Sequence, residues 1–239
     1  MLVTPHGDRR IVITQADHAR LAASFLALFR LPDLLANPRR PELLRAVAEH
    51  DNGWWESDSA PELDPATGAP RDFRALGREA RRAIWRRGVE RFAGEAPYVA
   101  ALLATHALRL HRDRASDPEW REFMAELAAR RDELLELAGR GPVELAEDDA
   151  WLELADGLSL AACLAEASFA MGPGRRARCT RRVEGNELAI APFPLAGATW
   201  FSVACRELPA VPAATPGELA RRLATATWVE LRIRLAPLD

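Results

Sequence analysis

Four separate stretches of helical periodicity each interrupt their apolar stripe with one ionisable side chain, and that pattern constrains the fold more than any other feature. In residues 14–29 the stripe is His18, Leu21, Ala22, Phe25 and Phe29, at i, i+3, i+4, i+7 and i+11. Residues 41–51 give Leu43, Ala46, Val47 and His50, and residues 97–111 give Val99, Leu102, Leu103, His106 and Leu110. Residues 144–171 give Leu152, Ala155, Asp156, Ser159, Leu160, Cys163 and Ala167. An ionisable group inside a core is costly unless it is paired or coordinated. One inward histidine alone reads as a satisfied core residue. Four inward groups on four helices read as a shared centre.

The rest of the chain supplies boundaries. Thr14 is an N-cap with Asp17 at N3, Pro41 is a helix N1 residue, and Ser116-Asp117-Pro118-Glu119 opens a helix that Gly139 ends. Residues 53–71, rich in Pro, Asp, Ser and Gly, are expected to be a loop that covers a site. Residues 72–92 read as a basic amphipathic helix whose arginines face solvent. After Gly172-Pro173-Gly174 the period changes to that of strands. Residues 179–184 and 187–191 flank a Gly185-Asn186 turn, 200–208 is a further strand, and Val229, Leu231, Ile233 and Leu235 alternate with polar neighbours. Thr215-Pro216-Gly217-Glu218 caps a short helix between the last two strands. The expected fold is α+β. A mainly helical bundle over 14–172 carries a small antiparallel sheet from the extension 173–239, with the strand 9–13 as a candidate addition.

Composition excludes several chemistries. All 32 basic residues are arginine, which removes a P-loop lysine and any Schiff base. The net charge of −3 gives no field toward nucleic acid or an anionic membrane, and the arginines of 175–182 read as a solvated linker. Cys163, Cys179 and Cys205 are odd in number and widely spaced, so no disulfide partner is expected. With no signal-like N-terminal stretch and no apolar run long enough for a bilayer, the expected location is cytoplasmic.

The centre of the pattern is Ala48-Glu49-His50-Asp51-Asn52-Gly53-Trp54. Imidazole nitrogen and carboxylate oxygen are good ligands for a divalent ion. Asp51 lies about 100° round the helix from His50 and can still reach a centre beside it. A bare helix end capped by Gly53 is the bland alternative.

In the order His18, His50-Asp51, Asp156, with His106 and His111 between, the chain resembles the HD-domain superfamily. It resembles more specifically a bacterial family of unknown function, DUF3891. That likeness rests on Ile13-Thr14-Gln15-Ala16-Asp17-His18-Ala19, Ala48 to Trp54, Leu63-Asp64-Pro65 with Thr67-Gly68, and Asp156-Gly157-Leu158-Ser159-Leu160. The superfamily resemblance implies a helical bundle and, in most members, metal-dependent phosphohydrolysis; a two-metal branch contains oxygenases. It implies one divalent ion (manganese, iron, magnesium, zinc or nickel) held by His18, His50, Asp51 and Asp156. Asp51 would also orient the attacking water, and His106 would be a substrate or leaving-group contact or a fifth ligand. His106 and His111 stand closer together than the corresponding histidines of two-metal members, which argues against a second ion. The implied partner is a small phosphorylated molecule or nucleotide. The alternatives are a two-metal iron oxygenase and a non-catalytic ligand-sensing module.

Substrate contacts are read from position. Arg109, one turn beyond His106, is either a bidentate phosphate clamp or a solvated arginine. His111 is about 140° round from His106, so a common target does not follow. Trp54, with Trp55, either stacks on a substrate ring or packs beneath the loop.

Overall fold

The computed structural model describes residues 1–114, 116–164, 168–170, 177–182 and 186–238. The chain opens as a hairpin, β1 (Leu2–His6) and β2 (Arg9–Ile13), turned through Gly7 and Asp8. Gly7 has φ +60°, a conformation that favours glycine at such a turn. Thr14 then caps α1 (Gln15–Leu28), its hydroxyl accepting from Asp17 N at 3.0 Å. A single turn, α2 (Pro32–Leu35), precedes α3 (Arg40–Glu49), and a 3-10 turn, Asn52–Trp54, leads into the short α4 (Trp55–Ser59). The helical layer continues with α5 (Arg78–Ala93), α6 (Pro97–Leu110), α7 (Pro118–Leu137) and α8 (Pro142–Leu164).

The remaining strands are β3 (Ser168–Ala170), β4 (Arg178–Arg182), β5 (Glu187–Ala191), β6 (Thr199–Pro209) and β7 (Thr227–Pro237), with α9 (Pro216–Thr225) between the last two. The architecture is α+β, but the sheet is not the small antiparallel one expected. Among the described residues, seven strands in the order β1-β2-β6-β7-β5-β4-β3 form a mixed sheet that curls into a half-barrel. The eleven-residue β7 has two edges to offer: β6 pairs one antiparallel, and β5 pairs the other in parallel at Arg234 to Pro237. Alternation within one strand cannot reveal the direction of its neighbour, so the parallel pair was not legible. The terminal strand β1 was also missed, because Pro5 discourages a strand reading; at a sheet edge it is tolerated.

Two helices are shorter than their patterns suggested. Residues 73–75 form a 3-10 turn, with the Asp72 carboxylate accepting from Arg74 N, and α5 starts only after Gly77. On the C-terminal side β3 occupies part of the expected helix 144–171; Ala167 and Met171 lie outside the described residues, as do Arg175, Arg176 and Gly185 of the expected linker and turn. Residues 53–71 are not one covering loop. Their far half is tied to the α9 side: Leu63 packs there, and Ala213 N donates to Gly68 O at 2.8 Å.

One apolar core runs from the helices to the inner face of the sheet, where Phe25 of α1 meets Phe201 of β6 edge-to-face at 4.7 Å. On the outer face Val12 and Leu208 pack under Leu219 and Leu223 of α9. Among the described residues no helix is long and apolar enough to cross a membrane. A polar anchor crosses the helical layer at Asp148, which is fully buried. It accepts from Arg39 Nε at 2.8 Å, Asn37 Nδ2 at 2.6 Å and the Tyr98 hydroxyl at 2.6 Å.

Asp148→Ala should therefore lower stability by about 1–3 kcal/mol, because Arg39 loses its buried partner and keeps only the more exposed Glu144 and Glu147, while the Tyr98 hydroxyl falls back on the Glu144 carbonyl. Arg130→Ala, at a half-exposed pair with Glu90, should cost no more than about 1 kcal/mol. Urea denaturation midpoints of the two variants check the contrast; equal losses would refute the anchoring role.

Candidate metal centre

His18 projects from the first turn of α1, and His50 and Asp51 from the C-terminal end of α3. His106 comes from α6 and Asp156 from α8. All five are buried, with Asp51 at 7% and Asp156 at 5% exposure against 1% for each histidine. The four residues expected to share one ion do converge. His18 Nε2 stands 3.2 Å from His50 Nε2, 3.4 Å from Asp51 Oδ2 and 3.3 Å from Asp156 Oδ1. His50 Nε2 is 3.5 Å from Asp51 Oδ2 and 3.4 Å from Asp156 Oδ1.

Hydrogen bonds on the far side of each ring fix where its proton sits. His50 Nδ1 lies 2.7 Å from the Val47 carbonyl, which can only accept, so Nδ1 donates. His18 Nδ1 lies 2.6 Å from Ser159 Oγ, whose own proton goes to the Asp156 carbonyl at 2.9 Å; again Nδ1 donates. When neutral, both imidazoles therefore turn bare Nε2 lone pairs toward each other and toward two carboxylates. No hydrogen bond joins two lone pairs, so the arrangement calls for positive charge between them. A proton can supply it. Burial is the largest influence on His18 and lowers its pKa, but hydrogen bonds to Asp156 and Asp51 outweigh it and the imidazole titrates well above its usual range. His50 is also raised: the Asp51 charge and the Asp156 hydrogen bond overcome burial. Burial raises Asp156, yet His18 and His50 hold it well below the usual carboxylate range.

The same set also has the spacing of a divalent-ion site. Metal–nitrogen and metal–oxygen bonds of about 2.0–2.2 Å at roughly 90–110° separate adjacent ligand atoms by about 2.8–3.6 Å. The five distances of 3.2–3.5 Å fall inside that range. The Nδ1–H bonds to carbonyl and hydroxyl are the outer support that metal-bound histidines ordinarily have. Two triplets, His18-His50-Asp51 and His50-His106-Asp156, each bring ligand atoms within 4.8 Å of one another.

The turn that delivers Asp51 is clamped by α5. Asn52 Nδ2 donates to Glu49 O at 2.9 Å and Gly88 O at 3.1 Å, Arg87 donates to Gly53 O, and Arg91 donates to Asn52 O at 2.6 Å. Gly53 passes so close that a Cβ there would lie 2.1 Å from the Ile84 carbonyl oxygen. The glycine after the His-Asp pair is thus a packing requirement.

The expected substrate contacts divide. Arg109 is engaged: Nε is 3.1 Å and Nη2 3.4 Å from the Asp149 carboxylate, Nη1 is 3.6 Å from Glu153, and Nη2 is 2.9 Å from His106 Nδ1. It is neither a solvated arginine nor free for a bidentate phosphate. His111 is not brought to the centre. It caps α6 between two tryptophans, taking a hydrogen bond from Trp85 Nε1 at 3.2 Å with its ring 4.3 Å from Trp120, and burial pushes its pKa down to about 4. Trp54 is buried, edge-on to Phe73 and Trp85, and Trp85 in turn adjoins His106 at 5.6 Å. Trp55 is exposed and lines, with Arg20, Asp58 and Arg206, a separate cavity of about 490 Å³.

Sequence reasoning missed Ser159 as a support, Asp149 and Glu153 as partners of Arg109, and Trp85 as the aromatic neighbour of His106. The spacing 149, 153, 156, 159 along α8 is the signal that could have found the first three.

A family model described as a protein of unknown function, DUF3891, matches residues 1–209. The chain belongs to the DUF3891 family. No curated protein and no solved structure matches it.

Ser159→Ala leaves the His18 Nδ1–H without its acceptor and should weaken divalent-ion binding about 10–100-fold while the fold is kept. Titration calorimetry with Mn²⁺ or Zn²⁺ reads this; unchanged affinity would remove Ser159 from the centre. Gly53→Ala forces the 3-10 turn off α5, at about 1–3 kcal/mol of stability, and should weaken ion binding in parallel. A stable variant with undiminished binding would mean that the turn does not position Asp51.

Proposed function

We propose that this DUF3891 protein is an HD-type metal-dependent phosphohydrolase acting on a small phosphorylated molecule or nucleotide. One observation carries the reading: two imidazole Nε2 lone pairs, each fixed by a bonded Nδ1–H, meet two carboxylates at ligand spacing inside the core. The order His18, His50-Asp51, Asp156 is that of the HD superfamily and supports the assignment. A divalent cation bound there supplies Lewis acidity, making water acidic enough to attack at neutral pH and drawing charge from a phosphoryl oxygen.

The chain's own residues divide the remaining work. His18, His50 and Asp156 come from helix bodies or are braced against them, so they hold position. Asp51 sits just past a helix end, and while its Oδ2 faces the imidazoles, Oδ1 can accept a hydrogen bond that orients water. Trp85 and Trp54 build an apolar wall beside His106, which strengthens electrostatic contacts by excluding water.

The test is phosphate release from phosphomonoesters, phosphodiesters and nucleotides with Mn²⁺, Mg²⁺, Fe²⁺, Zn²⁺ and Ni²⁺, comparing wild type with Asp51→Ala. The variant should fold, since a residue near a helix end opens little cavity, and should lose more than about 100-fold in rate. No turnover with any ion, or a fully active variant, would overturn the proposal. Oxygen consumption by iron-loaded protein would instead favour an oxygenase.

A further inference from the structure

The hydrogen bond between Arg109 and His106 settles a question that distance alone leaves open. His106 belongs to a triplet with ligand spacing, so it could pass for another metal ligand. A guanidinium is donor-only and stays protonated. At 2.9 Å from Arg109 Nη2, His106 Nδ1 must therefore be the acceptor. A neutral imidazole accepting at Nδ1 carries its proton on Nε2. This is the reverse of His18 and His50, whose Nδ1 atoms donate and whose Nε2 atoms are left to face an ion or a second proton. Protonating Nδ1 as well would turn the Arg109 contact into a donor–donor clash beside a positive charge.

Arg109 cannot readily swing away to allow it. The Asp149 carboxylate takes its Nε and Nη2, and Glu153 stands 3.6 Å from Nη1. On the other side of the ring His106 faces the centre, 4.9 Å from His50 centroid to centroid, and it is 1% exposed. Among the described residues no partner takes its Nε2–H.

We infer that His106 is not a ligand but a neutral, electrophilic hydrogen-bond donor, its Nε2–H aimed at an anionic oxygen of the substrate, and that Arg109 is the positioning residue that fixes this tautomer. Asp149 and Glu153 hold Arg109 in place. A neutral imidazole donor stabilises charge that develops on oxygen without giving up its proton, since full transfer would leave an imidazolate. The inference deepens the phosphohydrolase reading and rests on it for the identity of the oxygen. The tautomer and the non-ligand role stand on geometry alone.

Two measurements on the full chain test it without turnover. In protein labelled with ¹⁵N-histidine, long-range ¹H–¹⁵N spectra of the wild type should show His106 as the pure Nε2–H tautomer; an Nδ1–H or doubly protonated ring overturns the inference. Arg109→Met should introduce the Nδ1–H form, and an unchanged spectrum would remove Arg109 as the positioning residue. Calorimetric titration with Mn²⁺ and Zn²⁺ should find His106→Gln within about threefold of wild type and His50→Ala weakened more than about 100-fold. Equal losses in the two variants would make His106 a ligand and overturn the inference. If the wild type binds neither ion, the metal reading fails and the tautomer alone decides. If ions bind as expected but no phosphate is released, the phosphohydrolase reading fails and the donor assignment survives.

Discussion

The approach of His18 Nε2 to His50 Nε2 at 3.2 Å, between two buried carboxylates, is the contact that the rest of the structure has to justify. Neutral imidazoles leave the carboxylates' negative charge uncompensated in a region where Coulomb interactions are weakly screened. Removing that charge from water costs several kcal/mol per ion unless a positive charge arrives. Protons meet the need at the expense of two imidazolium groups crowded together. A divalent ion meets it with one centre, and both rings already hold their Nδ1 protons elsewhere, so binding asks nothing more of them than to shed any Nε2 proton.

This requirement explains local features that would otherwise look arbitrary. His50 and Asp51 can both point to the centre only because α3 ends between them: His50 retains helical dihedrals, and Asp51, at φ −108° and ψ 19°, leaves the helix. The chain must then turn sharply under α5, which is why Asn52 bridges Glu49 and Gly88 and why Gly53 lies against the Ile84 carbonyl. Backbone precision at that turn becomes side-chain precision at Asp51. Distant packing and local chemistry meet in four residues.

Helical phase was enough to point His18, His50, His106 and Asp156 inward, because an inward-facing polar group has few ways to be satisfied, whereas Asp51 follows from the helix end beside His50. Phase says nothing of what lies behind each group. The carboxylate partners of Arg109 are on another helix, some forty residues away in sequence, and Ser159, which accepts from His18, is 141 residues away from it. His111 shows the opposite case: its phase already separated it from His106, and the structure seats it between Trp85 and Trp120. In the sheet, alternation found the strands of the C-terminal region. It could not find β1, disguised by Pro5, or the parallel pairing of β5 with β7, which depends on the path taken through β6 and α9.

The helix that ties these parts together is α8. Asp149, Glu153, Asp156 and Ser159 follow one another at intervals of four, three and three residues, so they share one stripe on a helix whose other faces are largely apolar. Read in order, the stripe passes from the brace on Arg109, through a ligand candidate, to the hydroxyl that fixes the His18 tautomer. Asp148, one position and about 100° away, faces Arg39 and Tyr98 instead and anchors α8 to α6 and the start of α3. One helix thus supports opposite roles for the same ring nitrogen on two histidines, a donating Nδ1–H on His18 and an accepting Nδ1 on His106. Because both settings come from one helix, a shift of α8 would disturb the Ser159–His18 and Asp149–Arg109 contacts together. The centre can be built with a lone pair on one side and a proton on the other only while that helix stays in register.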